Sequence, residues 1–132
     1  MIAAAYDIAI TDGVNEKGVA VNMLWLTESV YPDLSDSRPT LSVALWAQYL
    51  LDNFASVGEA VDALSGDKIA VVTDNLPGED RLAMVHLSIS DRSGDSAIFE
   101  YIEGKLVIHH GREYQVMTNS PTFEQQLAIS EY

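Results

Sequence analysis

The stretch Ser88-Ile89-Ser90-Asp91-Arg92-Ser93-Gly94-Asp95-Ser96-Ala97-Ile98-Phe99-Glu100-Tyr101 decides the fold. β-prone residues run into it from Leu82 and out of it to Ile102, and the link from Asp91 to Asp95 is hairpin-sized. A parallel connection needs a crossover of about a dozen residues, so these two strands are antiparallel. Glu103-Gly104 repeats the argument for a strand at Lys105 to His110. Glu113 to Thr118 and Lys68 to Thr73 have the same strand-like composition, so the second half of the chain is expected to be an antiparallel meander.

Upstream, the apolar period changes. Val43, Trp46, Ala47, Leu50, Leu51 and Phe54 recur at helical spacing and predict a helix over 41–55. Ser56-Val57-Gly58-Glu59 has capping-box spacing and opens a second helix with Val57, Ala60, Val61 and Leu64 on its buried face. Tyr31 to Pro39 is a loop. Before it, residues 2–11 and 18–26 read as strands joined by Asp12-Gly13-Val14-Asn15-Glu16-Lys17-Gly18, a run that tolerates left-handed turns. The order hairpin, two helices, meander specifies an α+β fold in which a two-helix layer covers an antiparallel sheet.

At 132 residues the chain supports one core, read as a single domain or part of one over 1–132. Its formal charge of −13, with seven Lys and Arg scattered along it, excludes a nucleic-acid partner, because phosphate binding needs clustered cations. The acidic groups at Asp33 to Asp36 and Asp74 to Asp80 read as solvated loops. No apolar run approaches the roughly 18 residues of a membrane span. The absence of cysteine excludes disulfides and zinc–thiolate sites but leaves the compartment open.

Few side chains invite chemistry on their own. His109 and His110 are adjacent on a strand, so they point to opposite faces and cannot chelate one ion. His86 is expected to be a hydrogen-bonded structural histidine, and Asp91 and Asp95 to be turn formers. Ser88 and Ser90 lack the Gly-x-Ser-x-Gly elbow of a serine hydrolase. No metal and no cofactor is expected. Met117-Thr118-Asn119-Ser120-Pro121-Thr122-Phe123 reads as a strand end entering a helix over 122–129, with Ser120 as cap and Pro121 at the first helical position.

Three segments in order, Asp12 to Val19, Ser88 to Tyr101 and Tyr114 to Phe123, resemble the central part of the choloylglycine hydrolase family of N-terminal-nucleophile amidases. That family includes penicillin V acylases and conjugated bile-salt hydrolases. The resemblance implies that the chain is part of an αββα sandwich. It also implies an attack by an N-terminal cysteine on a linear amide, a small-molecule amide substrate for the complete enzyme, and a homo-oligomer of bacterial periplasm or cytoplasm.

The same resemblance puts Asn119 in the oxyanion hole, with its side-chain amide aimed at the developing charge, aided by the helix that follows. Counting from Gly13 places the second donor, a backbone N–H, at Trp25, where an aromatic residue is similar to the penicillin-acylase side of the family. With no cysteine in the chain, the expectation is a hydrolase fragment inactive alone. Its rival is a non-catalytic interaction module that uses an exposed apolar sheet face.

Overall fold

The computed structural model describes residues 1–6, 9–33 and 37–131. Within them, a six-stranded antiparallel sheet is built from β1 (Ile2–Ala5), β2 (Ala9–Val14), β3 (Ala20–Trp25), β6 (Val85–Ser90), β7 (Ser96–Ile102) and β8 (Lys105–His110), in the order β1-β2-β3-β6-β7-β8. The expected meander forms, with Leu87 opposite Phe99 and Phe99 opposite Ile108. Helices α1 (Val43–Asn53) and α2 (Val57–Leu64) follow the apolar stripes and cover one face. Trp46 is fully buried there against the rings of Phe99 and Tyr101.

The Asn15-Glu16-Lys17-Gly18 turn does more than reverse the chain. Asn15 Nδ2 donates to the carbonyls of Leu51 and Phe54 at 2.9 Å each, while its Oδ1 accepts the N–H groups of Lys17 and Val19. One carboxamide thus shapes the hairpin and satisfies the open end of α1. Gly13 lies at the same approach: a Cβ built there would lie 2.6 Å from Leu51 Cδ1 and displace that side chain. Glu59 N–H donates to Ser56 Oγ as the capping box requires, and the Glu59 carboxylate reaches one residue further back, to Ala55 N–H.

Several expectations need correction. Residues 2–11 are not one strand: β1 and β2 are two antiparallel strands joined through Tyr6, which has positive φ, and residues 7–8 lie outside the described residues. Part of the 31–39 loop and of its acidic cluster, residues 34–36, is also outside them. The strand expected at Lys68 to Thr73 forms as β5 (Ala70–Val72) but stays outside the meander: it pairs in parallel with β4 (Thr40–Ser42), a strand not read from the sequence. Three-residue strands carry too little alternation to register as a pattern.

Glu113 to Thr118 forms no strand. It crosses the sheet face opposite α1 and α2, and side chains take up its backbone groups. Ser96 Oγ donates to Tyr114 O, His86 Nε2 donates to Thr118 O, and Thr118 N–H donates to Gln126 Oε1. That face is therefore not an open apolar surface. Asn22, Ser88 and Ser90 line its middle, and Ile98 and Glu100 are buried beneath the crossing segment. The interaction-module reading loses the feature it rested on.

Candidate functional site

Strand β3 outruns its neighbour. Leu26 N–H donates to Met84 O, so even-numbered residues of β3 turn their amides toward β6 and odd-numbered ones turn toward β2. The β2–β3 register stops at Asp12–Asn22, which leaves the Trp25 N–H beyond the ladder. It donates instead to Asn119 Oδ1 at 3.2 Å, across 94 positions of sequence. The two residues singled out from the sequence are thus in direct contact. Both are exposed, and Asn119 Nδ2 donates to no group among the described residues.

A cavity of about 350 Å³ adjoins this contact, lined by Ala9, Met23, Trp25, Val43, Leu76 and Val85 among others. It is mostly apolar, which suits a carbon chain or ring more than a charged ligand. Arg81 lies over the Trp25 ring at 5.0 Å from its centre and is paired with Glu79 at 3.1 Å, so its charge is already balanced. Tyr6 donates to the same Glu79, tying the first turn of the chain to the rim.

The segment carrying Asn119 is held from several sides. Ser120 does not cap a helix: its Oγ accepts Thr27 N–H at 3.0 Å and donates to Glu28 at 2.7 Å, which zips the segment to the end of β3. Helix α3 (Phe123–Ser130) starts later than expected, with Thr122 as N-cap and Pro121 outside the helix, after a cis Ser120–Pro121 bond. Its first amide, Phe123 N–H, donates to both carboxylate oxygens of Glu100 at 3.0 Å. The first amide of α3 is therefore taken by the buried Glu100 carboxyl.

Glu100 is 1 % exposed and His86 0 %, and they meet at 2.8 Å through Nδ1. His86 Nε2 donates to Thr118 O at 2.8 Å. His86 is thus a hydrogen-bonded core histidine, as expected, but Glu100 had no signal beyond an acid inside an apolar strand. An alternation of Ile98, Glu100 and Ile102 on one face is the pattern that marks it. His109 packs against Tyr114 and Phe123, while His110 reaches Asp95 on another side of β8. Among the described residues no group of three His, Asp or Glu is placed to hold a metal ion.

Asp91 and Asp95 each have a structural partner. Asp91 accepts Val57 N–H at the start of α2 and both the N–H and hydroxyl of Ser93. Partial burial pushes its carboxyl up, but the bonds from Ser93, Val57 and the Asp95 backbone outweigh it and hold the group below its ordinary value of 3.8. Tyr31 is the opposite case: burial raises its hydroxyl to about 12 while it bridges the N–H and C=O of Val85.

Comparison with known proteins points one way. The family model described as linear amide C–N hydrolases, choloylglycine hydrolase family, matches residues 1–132. A penicillin V acylase from Pectobacterium atrosepticum is 58% identical over 139 aligned residues, which cover all of this chain and 37% of that protein. The structure of a penicillin V acylase from Agrobacterium tumefaciens superposes with a TM-score of 0.89 at 59% identity, over 99% of this chain and 38% of the other. A variant of the conjugated bile acid hydrolase from Clostridium perfringens does so with a TM-score of 0.81 at 28% identity, over 98% and 40%. The chain therefore spans well under half the length of the relatives it matches.

Proposed function

Since the chain belongs to the choloylglycine hydrolase family of linear amide C–N hydrolases, we propose that it supplies the oxyanion side of an amidase similar to penicillin V acylase. Asn119 Nδ2 and Trp25 N–H are the two donors. The observation that carries this reading is the 3.2 Å bond between Trp25 N–H and Asn119 Oδ1 at the rim of an apolar cavity. It fixes the plane of the carboxamide and leaves Nδ2 without an acceptor among the described residues. A negatively charged oxygen arriving between the two competes for Trp25 N–H more strongly than the neutral carboxamide oxygen does.

In this reading the cavity beside Trp25 receives an apolar or aromatic acyl group, which brings the scissile carbonyl to the two donors. A neutral carboxamide suits the task, because it stabilises charge that develops in the transition state without trapping anions beforehand. The attacking thiolate comes from outside residues 1–132, which contain no cysteine. We further propose that the 132-residue chain alone does not turn over amide substrates.

The test is a chimera in which this segment replaces its counterpart in the Pectobacterium penicillin V acylase. Asn119→Ala should lower kcat by roughly a hundredfold or more with KM little changed. Asn119→Asp should be at least as damaging, because it places a carboxylate where the oxyanion forms. Parental turnover in the aspartate variant would rule out the oxyanion role.

A further inference from the structure

The segment bearing Asn119 rests on a polar clamp made by residues other than the two proposed oxyanion donors. Thr118 O can only accept, so His86 Nε2 carries a proton; a second proton lies between Nδ1 and the Glu100 carboxyl. Glu100 also binds Phe123 N–H with both oxygens. One buried pair therefore holds residue 118 on one side of Asn119 and residue 123 on the other. The Gln126 carboxamide fills the space between: its Oε1 accepts Thr118 N–H at 3.0 Å, and its Nε2 donates to Asn119 O at 3.0 Å and Pro121 O at 2.7 Å.

We propose that His86, Glu100 and Gln126 are positioning residues, which fix the backbone on both sides of Asn119 so that its carboxamide meets Trp25 N–H in one orientation. None of the three lines the cavity beside Trp25, and Glu100 and Gln126 reach Asn119 through their bonds to the 118–123 segment, whereas His86 also lies on the strand paired with β3, next to Val85 opposite Trp25. The proposal rests on the oxyanion reading for its catalytic meaning but not for its structural test. Burial of an acid–histidine pair against a solvent-exposed segment is a costly arrangement unless all its bonds are made; here its hydrogen bonds beyond the pair go to Thr118 and Phe123, and His109 Nε2 stands 3.8 Å from the Glu100 carboxyl.

Trp25 N–H reports on the clamp, and the neighbouring Leu26 N–H, bonded to Met84 O, is an internal control. Amide exchange measured by NMR on the 132-residue chain should rise at Trp25 by up to about tenfold relative to Leu26 in Gln126→Ala and Glu100→Ala. Glu100→Gln should restore the ratio, since glutamine accepts from Phe123 N–H and donates to a neutral His86 that still bonds Thr118. If Glu100→Ala does not fold, Gln126→Ala decides the matter.

An unchanged Trp25-to-Leu26 ratio in folded Gln126→Ala, or equal acceleration at both amides, would overturn the proposal. In the chimera described above, Gln126→Ala should lower kcat by up to about tenfold at constant KM. A loosened Trp25 with undiminished turnover would bear out the clamp while sinking the oxyanion role; an unmoved Trp25 would sink the clamp whatever the turnover.

Discussion

On the face of the sheet beneath α1 and α2, Trp46, Phe99, Tyr101, Leu50 and Leu87 are buried together, and even the Trp46 indole N–H finds no acceptor among the described residues. On the opposite face, His86 and Glu100 are equally buried, but each polar atom facing the 118–123 segment is bonded to it. The first face gains from area removed from water and tolerates an unpaired donor at its centre. The second gains little from area and depends on direction. Non-directional burial holds the domain together, whereas directed bonds hold Asn119 in one place.

The largest test of that contrast is at the centre of the apolar face. Trp46→Ala should cost about 3–5 kcal/mol by chemical denaturation, through lost transfer energy and a cavity against Phe99 and Tyr101. Trp46→Phe should cost far less, about 1.5 kcal/mol or below, because it keeps an aromatic ring there and removes an unpaired donor. Near-equal losses for the two would mean that the indole N–H has a partner and that this face is also held by direction.

A smaller effect is expected where the apolar face meets the hairpin. Asn15→Ala leaves two helix-end carbonyls and two turn amides without a partner, and should cost about 2–3 kcal/mol. Asn15→Asp separates the two halves of the role: it keeps the acceptor for Lys17 and Val19 but sets a carboxylate against Leu51 O and Phe54 O. Full stability in the aspartate variant would show that the tie to α1 is incidental.

The two faces also differed in how far the sequence revealed them. Val43, Trp46, Leu50 and the Ser56–Glu59 box declared the helical layer, and short links declared the meander, because both patterns are local and periodic. Asn119 and Trp25 were reached through resemblance, and their contact joins residues that no periodicity relates. Glu100 left only the trace of an acid inside an apolar strand, and Gln126 was not legible at all. A buried acid reveals itself only through partners brought by the fold, and Gln126 is an ordinary helix residue until the chain before it wraps around its carboxamide. Ser120 was misread for the same reason: its serine-proline context fits a helix cap, but its hydroxyl is taken by Thr27 and Glu28.

Tyr31 offers a finer test, because it extends directed bonding into the apolar side. Tyr31→Phe should cost about 1–2 kcal/mol, since it removes the hydroxyl that joins both backbone groups of Val85. The pH dependence has a definite sign. Burial raises the folded-state value to about 12 from 10.0, so the folded chain holds this proton more tightly than the unfolded one. The contribution is complete below pH 10 and declines as pH rises toward 12. In Tyr31→Phe that part of the alkaline decline should vanish.

The smallest expected effect belongs to Asp91, which links the β6–β7 turn to the first amide of α2. Its carboxyl is held below 3.8, so the folded state favours the charged form. This contribution is present above pH 3.8 and is lost as the pH falls through the lower folded-state value. Asp91→Asn retains an acceptor for Val57 N–H but loses the charge beside the helix start, and should cost about 0.5–1 kcal/mol at neutral pH. As the pH falls from 3.8 through the lower folded-state value the difference from the parent should shrink, because protonation then removes the same charge. A difference that persists unchanged into acid would mean that Asp91 works through shape alone, and that the apolar face is as indifferent to charge at its margin as it is at its centre.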